Sequence, residues 1–237
     1  MPPFSPIRAR AAERKGGDEA LAALLPNMAA PEELANLPDD RVLAEMTRRI
    51  FCSGFAWTVI DKKWPGFEAA FLGFEPRRLL AQPPEFWDGL MSNTDIVRNG
   101  QKIMSVEKNA RFITDIAAEH GSFGRFLAEW PASDQVGLLD LLAKRGARLG
   151  GNTGQYLLRF LGKDGFMLSQ DVVLCLRDAG LEIAAAPTSK KDLARIQAQF
   201  NAWAAETGLP HTHLSRICAM SIGENRPPEQ LRVYMSE

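Results

Sequence analysis

Apolar residues recur every three or four positions along most of the chain, the spacing of one helix face. Val42, Leu43, Met46, Ile50 and Phe51 form one such stripe, opened by Asp39 and Asp40 as first-turn acids. Ile103, Val106, Ala110, Ile113 and Ala117 form another, within a predicted helix over 100–120. Further helices are predicted over 66–72, 76–81, 84–92, 123–129, 134–145, 153–161, 169–179, 190–207 and 213–222. Proline or glycine punctuates almost every boundary. No strand-like alternation of useful length and no internal repeat occurs. The expected fold is all-α, with about ten helices.

Residues 1–20 read as a mobile arm, rich in proline and then basic, ending at Gly16-Gly17. Ala29–Pro38 reads as linker. The expected organisation is an arm and linker over 1–38, a helical domain over 39–225 and a polar tail over 226–237.

Composition narrows the classes. The 237 residues are 46% apolar and 24% charged, which excludes wholesale disorder. No apolar run is long enough to span a bilayer. The N-terminus lacks the apolar core of a secretory signal. Cys52, Cys175 and Cys218 are far apart and odd in number, which fits a reduced, cytoplasmic compartment without a disulfide frame. The net charge of −1 gives no hint of nucleic acid, so only local clustering can.

One cluster stands out. From Lys144 to Lys163 the chain carries five basic residues (Lys144, Arg145, Arg148, Arg159, Lys163) and no acid. Within it, Leu149, Gly150, Gly151, Asn152 and Thr153 form a tight turn between two helical stretches. Free N–H groups at the start of the second helix, beside basic side chains, make a phosphate grip. An ordinary helical corner needs glycine just as much.

Four blocks, in order, resemble the type I 3-methyladenine DNA glycosylases, a branch of the endonuclease III-like helix-hairpin-helix superfamily. Gly54-Phe55-Ala56-Trp57, trailed by Lys62-Lys63, resembles the family's Gly-Leu-Ser-Trp segment with its Lys-Lys. Ile96 to Ile103 with Asn109-Ala110-Arg111 resembles its Ile-Arg…Lys-Ile…Asn-Ala-Arg blocks. Lys144-Arg145-Gly146, Gly151-Asn152-Thr153 and Tyr156 resemble its hairpin. The resemblance implies a helix-hairpin-helix glycosylase fold and a DNA repair enzyme. Such an enzyme hydrolyses the N-glycosidic bond of an alkylated purine, 3-methyladenine-like, flipped out of double-stranded DNA. It is expected to work as a monomer without cofactor or membrane. Lys144, Arg148, Leu149–Thr153 and Lys163 would hold DNA. Phe55 and Trp57 would line the base pocket, since an extruded base needs aromatic faces. Phe51, Trp64 and Phe67 belong to the same aromatic cluster and read equally well as core.

The departures from the family are specific. Its base-reading Glu, eight residues before the tryptophan, falls on Arg49. If Arg49 faces the pocket, a neutral or electron-rich base fits better than a cationic one. Arg48-Arg49 also reads as a solvated helix face or as a partner for Glu45. The family's zinc clip of Cys and His is not matched. No Cys or His precedes Cys52, the downstream His position holds Asp171, and only Cys175 fits. No structural zinc is therefore expected. His211, His213 and Cys218 are other possible ligands, or plain surface residues. Asp171, or Ser169 by a different count, falls where the superfamily keeps a catalytic carboxylate; either also suits a helix cap. A non-catalytic DNA- or lesion-binding protein on the same scaffold is the alternative.

Overall fold

The computed structural model describes residues 2–227. Among these the chain forms 14 helices and no strand. They are α1 (Ser5–Lys15), α2 (Asp18–Ala22), α3 (Pro31–Ala35), α4 (Asp39–Cys52), α5 (Trp57–Ala70), α6 (Pro76–Leu80) and α7 (Pro84–Leu90). There follow α8 (Gly100–His120), α9 (Phe123–Glu129), α10 (Gln135–Arg145), α11 (Asn152–Phe160), α12 (Gln170–Asp178), α13 (Lys190–Thr207) and α14 (His211–Ser221). The all-α expectation holds, with more helices than expected because several are single turns or two.

The chain divides into two compact units rather than one domain between an arm and a tail. Among the described residues, one comprises the stretch to Met28, Ala132–Val136 and the chain from Asp164; the other comprises Ala29–Pro131 and Gly137–Lys163. Segments so distant in sequence leave no boundary signal in a linear reading.

In the second unit, α4 and α8 pack side by side, and α4 also meets α5, α9 and α11. The α4 stripe behaves as its spacing dictates: Val42, Leu43, Met46 and Phe51 are fully buried. Phe51 meets Phe67 edge-on at 4.7 Å, and Trp64 stacks on Phe67 at 5.5 Å. Phe51 and Phe67 are core, and Trp64, partly buried, packs against them. Asn99 caps α8, accepting from the Lys102 N–H at 3.1 Å. The expected helix over 66–72 begins instead at Trp57 and ends at Ala70, running through Pro65. An interior proline loses one hydrogen bond and crowds the carbonyl four residues back, which kinks a helix without having to end it.

In the first unit, α14 packs against α1, α12 and α13. The expected mobile arm is helix α1, with Phe4, Ile7 and Ala11 buried. Its basic residues have structural work. Arg14 donates to the carbonyls of Met220 and Gly223, at 3.0 and 2.7 Å, and Lys15 to Asn225 and Arg226. They satisfy carbonyls at and beyond the end of α14. Of the expected tail over 226–237, all but residues 226 and 227 lie outside the described residues. No described helix is long and apolar enough to cross a membrane.

Candidate functional site

The glycine turn lies within the second unit, between α10 and α11. Its shape is forced by close approach. A Cβ at Gly146 would lie 2.6 Å from Leu149 Cδ1, and one at Gly154 would lie 2.5 Å from the Leu149 carbonyl oxygen. Leu149 itself is buried. Asn109, fully buried on α8, pins the turn twice. Its Nδ2 donates to the Ala147 carbonyl at 3.1 Å, and its Oδ1 accepts from the Ala147 N–H at 2.7 Å. Arg148 takes a left-handed φ of 61° and donates to Gln101 Oε1 at 3.1 Å. Gly151, at φ 58° and ψ −136°, precedes Asn152 and Thr153 with no side-chain cap, so the first amides of α11 have no capping side chain.

The basic cluster is less free than its sequence suggests. Lys144 pairs with Asp140, one helical turn back, and Arg145 with Glu119 at 2.8 Å. Lys163 does not present its charge at the surface. It is buried and donates to the Trp130 carbonyl at the end of α9. That correction has a simple cause: an exposed-looking lysine is serving as a helix C-cap. Arg148 and the 150–153 backbone remain at the turn.

The far end of α11 belongs to a second feature. Tyr156 and Phe160 lie four residues apart and so share a face. Trp57, the first residue of α5, meets Tyr156 edge-on at 5.5 Å and Phe160 at 5.6 Å. The Arg49 guanidinium, from α4, sits 3.8 Å from the Phe160 ring centre and 4.8 Å from that of Trp57. Arg49 is only 5% exposed, so it is not part of a solvated face. Its Nε lies 2.7 Å from Glu45 Oε1, as the i,i+4 spacing predicts. The approach is close but misaligned: Arg49 Nε and Nη1 and Glu45 Oε1 all lack a hydrogen-bond partner. Burial pushes the Glu45 carboxyl above its ordinary range, against the pull of Arg49. Arg48 points elsewhere, pairing with Asp61 at 2.8 Å.

Beside this cage, Phe55 is 40% exposed and carries the Lys102 ammonium 4.7 Å above its ring. Lys102 is buried and donates to the carbonyls of Phe51 and Ser53, holding the segment between α4 and α5. Its pKa is pushed down by that burial and by nearby Arg148. The structure thus brings Arg49, Trp57 and Tyr156 together and sets Phe55 on Lys102. Phe160 is the wall residue the sequence reading omits; its only signal is the i,i+4 spacing from Tyr156.

Ser169 and Asp171 belong to the other unit. Ser169 caps α12, accepting from the Val172 N–H at 3.3 Å. Asp171 lies in the first turn of that helix, with its carboxylate packed so closely on Gly223 that a Cβ there would collide with it. The residues of that unit do not fit the family's zinc. Cys175 lies 3.4 Å from the Ser221 hydroxyl. Its hydrogen bonds from Cys218 and Ser221 lower its thiol to about 7. His213 is engaged with the Pro26 carbonyl at 2.9 Å, and His211 is buried rather than on the surface. Among the described residues no three His, Cys, Asp or Glu side chains gather as a metal site would need.

Solved structures similar to this chain include a 3-methyladenine DNA glycosylase I in complex with 3-methyladenine, at 22% identity. That match covers 53% of this chain and 77% of that one, with a TM-score of 0.46. A 3-methyladenine DNA glycosylase I from Staphylococcus aureus matches at 23% identity, covering 52% and 76%, with a TM-score of 0.47. Residues 35–166, more than half of the chain, match the family model described as methyladenine glycosylase. That match spans α4, the Phe55–Trp57 segment, α8, the glycine turn and α11, and on it the chain belongs to the methyladenine glycosylase family.

Proposed function

We propose that this protein hydrolyses the N-glycosidic bond of a neutral modified purine extruded from duplex DNA. Duplex would be held at the Gly150–Thr153 turn and Arg148, and the base would be received at Trp57 and Tyr156. The observation that carries this reading is the buried Arg49 guanidinium between Trp57 and Phe160. A cationic alkylated base entering beside it would meet a like charge. At roughly 4 Å and an effective dielectric near 20, that costs about 4 kcal/mol. Stacking returns only about 1–3 kcal/mol. Glu45 offsets part of the arginine charge, but its own burial works against its ionised form. A neutral purine has the opposite need. Negative charge develops on its ring as the glycosidic bond breaks, and a fixed cation beside the ring stabilises that charge. Water then adds to the sugar carbon and its proton goes to the departing purine anion, leaving the free base and an abasic sugar.

A second reading rests on the same arginine. If Arg49 fills the cage permanently, the protein binds DNA without excising a base. Incubating excess protein with duplexes that each carry one modified purine, neutral or cationic, and assaying the released base separates these. The proposal expects the protein to accelerate release from a neutral-lesion duplex, relative to its spontaneous rate, at least about tenfold more than it accelerates release of 3-methyladenine. A greater acceleration of 3-methyladenine release overturns the neutral preference. Tight binding of every duplex with release from none replaces the enzyme with the binding protein.

A further inference from the structure

We propose that Cys175 and Cys218 form an oxidation site, which a hydroperoxide joins as a disulfide across α12 and α14. The two helices pack against each other within one unit, and both cysteines are buried there. Their side chains meet, with the Cys218 thiol donating a hydrogen bond to the Cys175 sulfur. The Ser221 hydroxyl lies 3.4 Å from that sulfur and 2.9 Å from the Cys218 carbonyl oxygen, so the last turn of α14 is fitted against Cys175. Cys52, the third cysteine, belongs to the other unit.

The two sulfurs are unlike. Cys175 accepts from its neighbours and has the Arg10 guanidinium beside it, which favours the thiolate. Burial keeps Cys218 protonated. A thiolate that attacks and an adjacent thiol that resolves are what stepwise oxidation needs. Arg10 and its partner Asp178, 2.8 Å apart, are both accessible to solvent, so Cys175 lies one side chain below the surface. The Cys175 thiolate attacks one peroxide oxygen, the O–O bond breaks, and the other oxygen leaves with a proton as an alcohol, or as water from hydrogen peroxide. The Cys218 sulfur then attacks the Cys175 sulfenic acid. The S–S bond forms, the S–OH bond breaks, and the Cys218 proton leaves with the hydroxide as water. Two electrons pass from the thiols to the peroxide.

The test treats native protein with excess hydrogen peroxide, unfolds it in N-ethylmaleimide and measures the intact mass and the peptides. Base excision plays no part in the result. The expected product carries one alkylated thiol, Cys52, in place of three, with a loss of about 2 Da and a linked Cys175–Cys218 peptide; a reductant restores the three thiols. Cys52→Ser should leave the link intact. Cys218→Ser should prevent it and leave Cys175 heavier by about 16 or 32 Da. The wild-type result decides by itself, whatever the stability of the variants. Three alkylated thiols after peroxide, or a link through Cys52, would overturn the assignment.

Discussion

The guanidinium carbon of Arg49 lies 3.8 Å from the ring centre of Phe160, the last residue of the helix that the glycine turn begins. One nine-residue helix therefore carries uncapped amides at one end and a wall of the aromatic cage at the other. The uncapped amides and the cage are fixed to each other by α11, and Asn109 fixes the turn before it. A protein that must hold a backbone and position an extruded base gains from having both on one rigid element.

Arg49 and Glu45 should be coupled in stability. Arg49→Ala leaves the largely buried Glu45 carboxylate without its partner, a loss of up to about 3–5 kcal/mol for a broken buried pair. Adding Glu45→Gln removes the stranded charge and should recover a large part of that loss. Denaturant unfolding of the two single variants and the double measures the coupling. A double variant whose loss equals the sum of the singles would show that the 2.7 Å approach contributes nothing.

Gly150 and Gly151 should be required for duplex affinity. Gly151 sits at φ 58° and ψ −136°, a conformation that side chains strain, while Gly150 faces open space beyond Ala143. Replacing both with valine would shield the first amides of α11. Wild-type affinity should fall as salt rises, and the double variant should bind duplex more weakly at every salt concentration. Fluorescence anisotropy reads both; unchanged affinity in a folded double variant would remove the turn from the interface.

Stability should depend on His211 below neutral pH. Burial against Phe166 and Phe200 pushes its pKa down, opposed by Asp164 at 4.0 Å. The unfolded chain then takes up a proton at a higher pH than the folded one does. Stability is therefore full above the ordinary value of about 6.5 and falls as pH drops from there through the lowered folded value. His211→Phe should flatten that slope. Thermal melts from pH 8 down to pH 5 that give wild type and variant the same slope would show that His211 does not set it.

Much of this was legible in the chain because local signals sufficed. Helices α4, α8, α9 and α13 run where their apolar stripes and punctuating glycines set them. Helix α1 was not legible: Arg14 and Lys15 look like solvated charge but cap carbonyls some two hundred residues away in sequence. The same ambiguity runs the other way at Lys163, whose charge looked available for phosphate and is spent on Trp130. At the cage, the Glu45–Arg49 spacing announced a pair, and Trp57 stood out by its block. That a guanidinium would be buried against Phe160 depends on how α4 meets α11, which no spacing along the chain encodes.

The most direct test of base capture is the affinity of wild type and Trp57→Ala for one duplex with a single modified purine, set against the undamaged duplex. If the extruded base stacks at Trp57, the variant loses about 5- to 150-fold in affinity for the lesion duplex and keeps its affinity for the undamaged one. Equal losses on both duplexes, or none on either, would mean that no base reaches the cage.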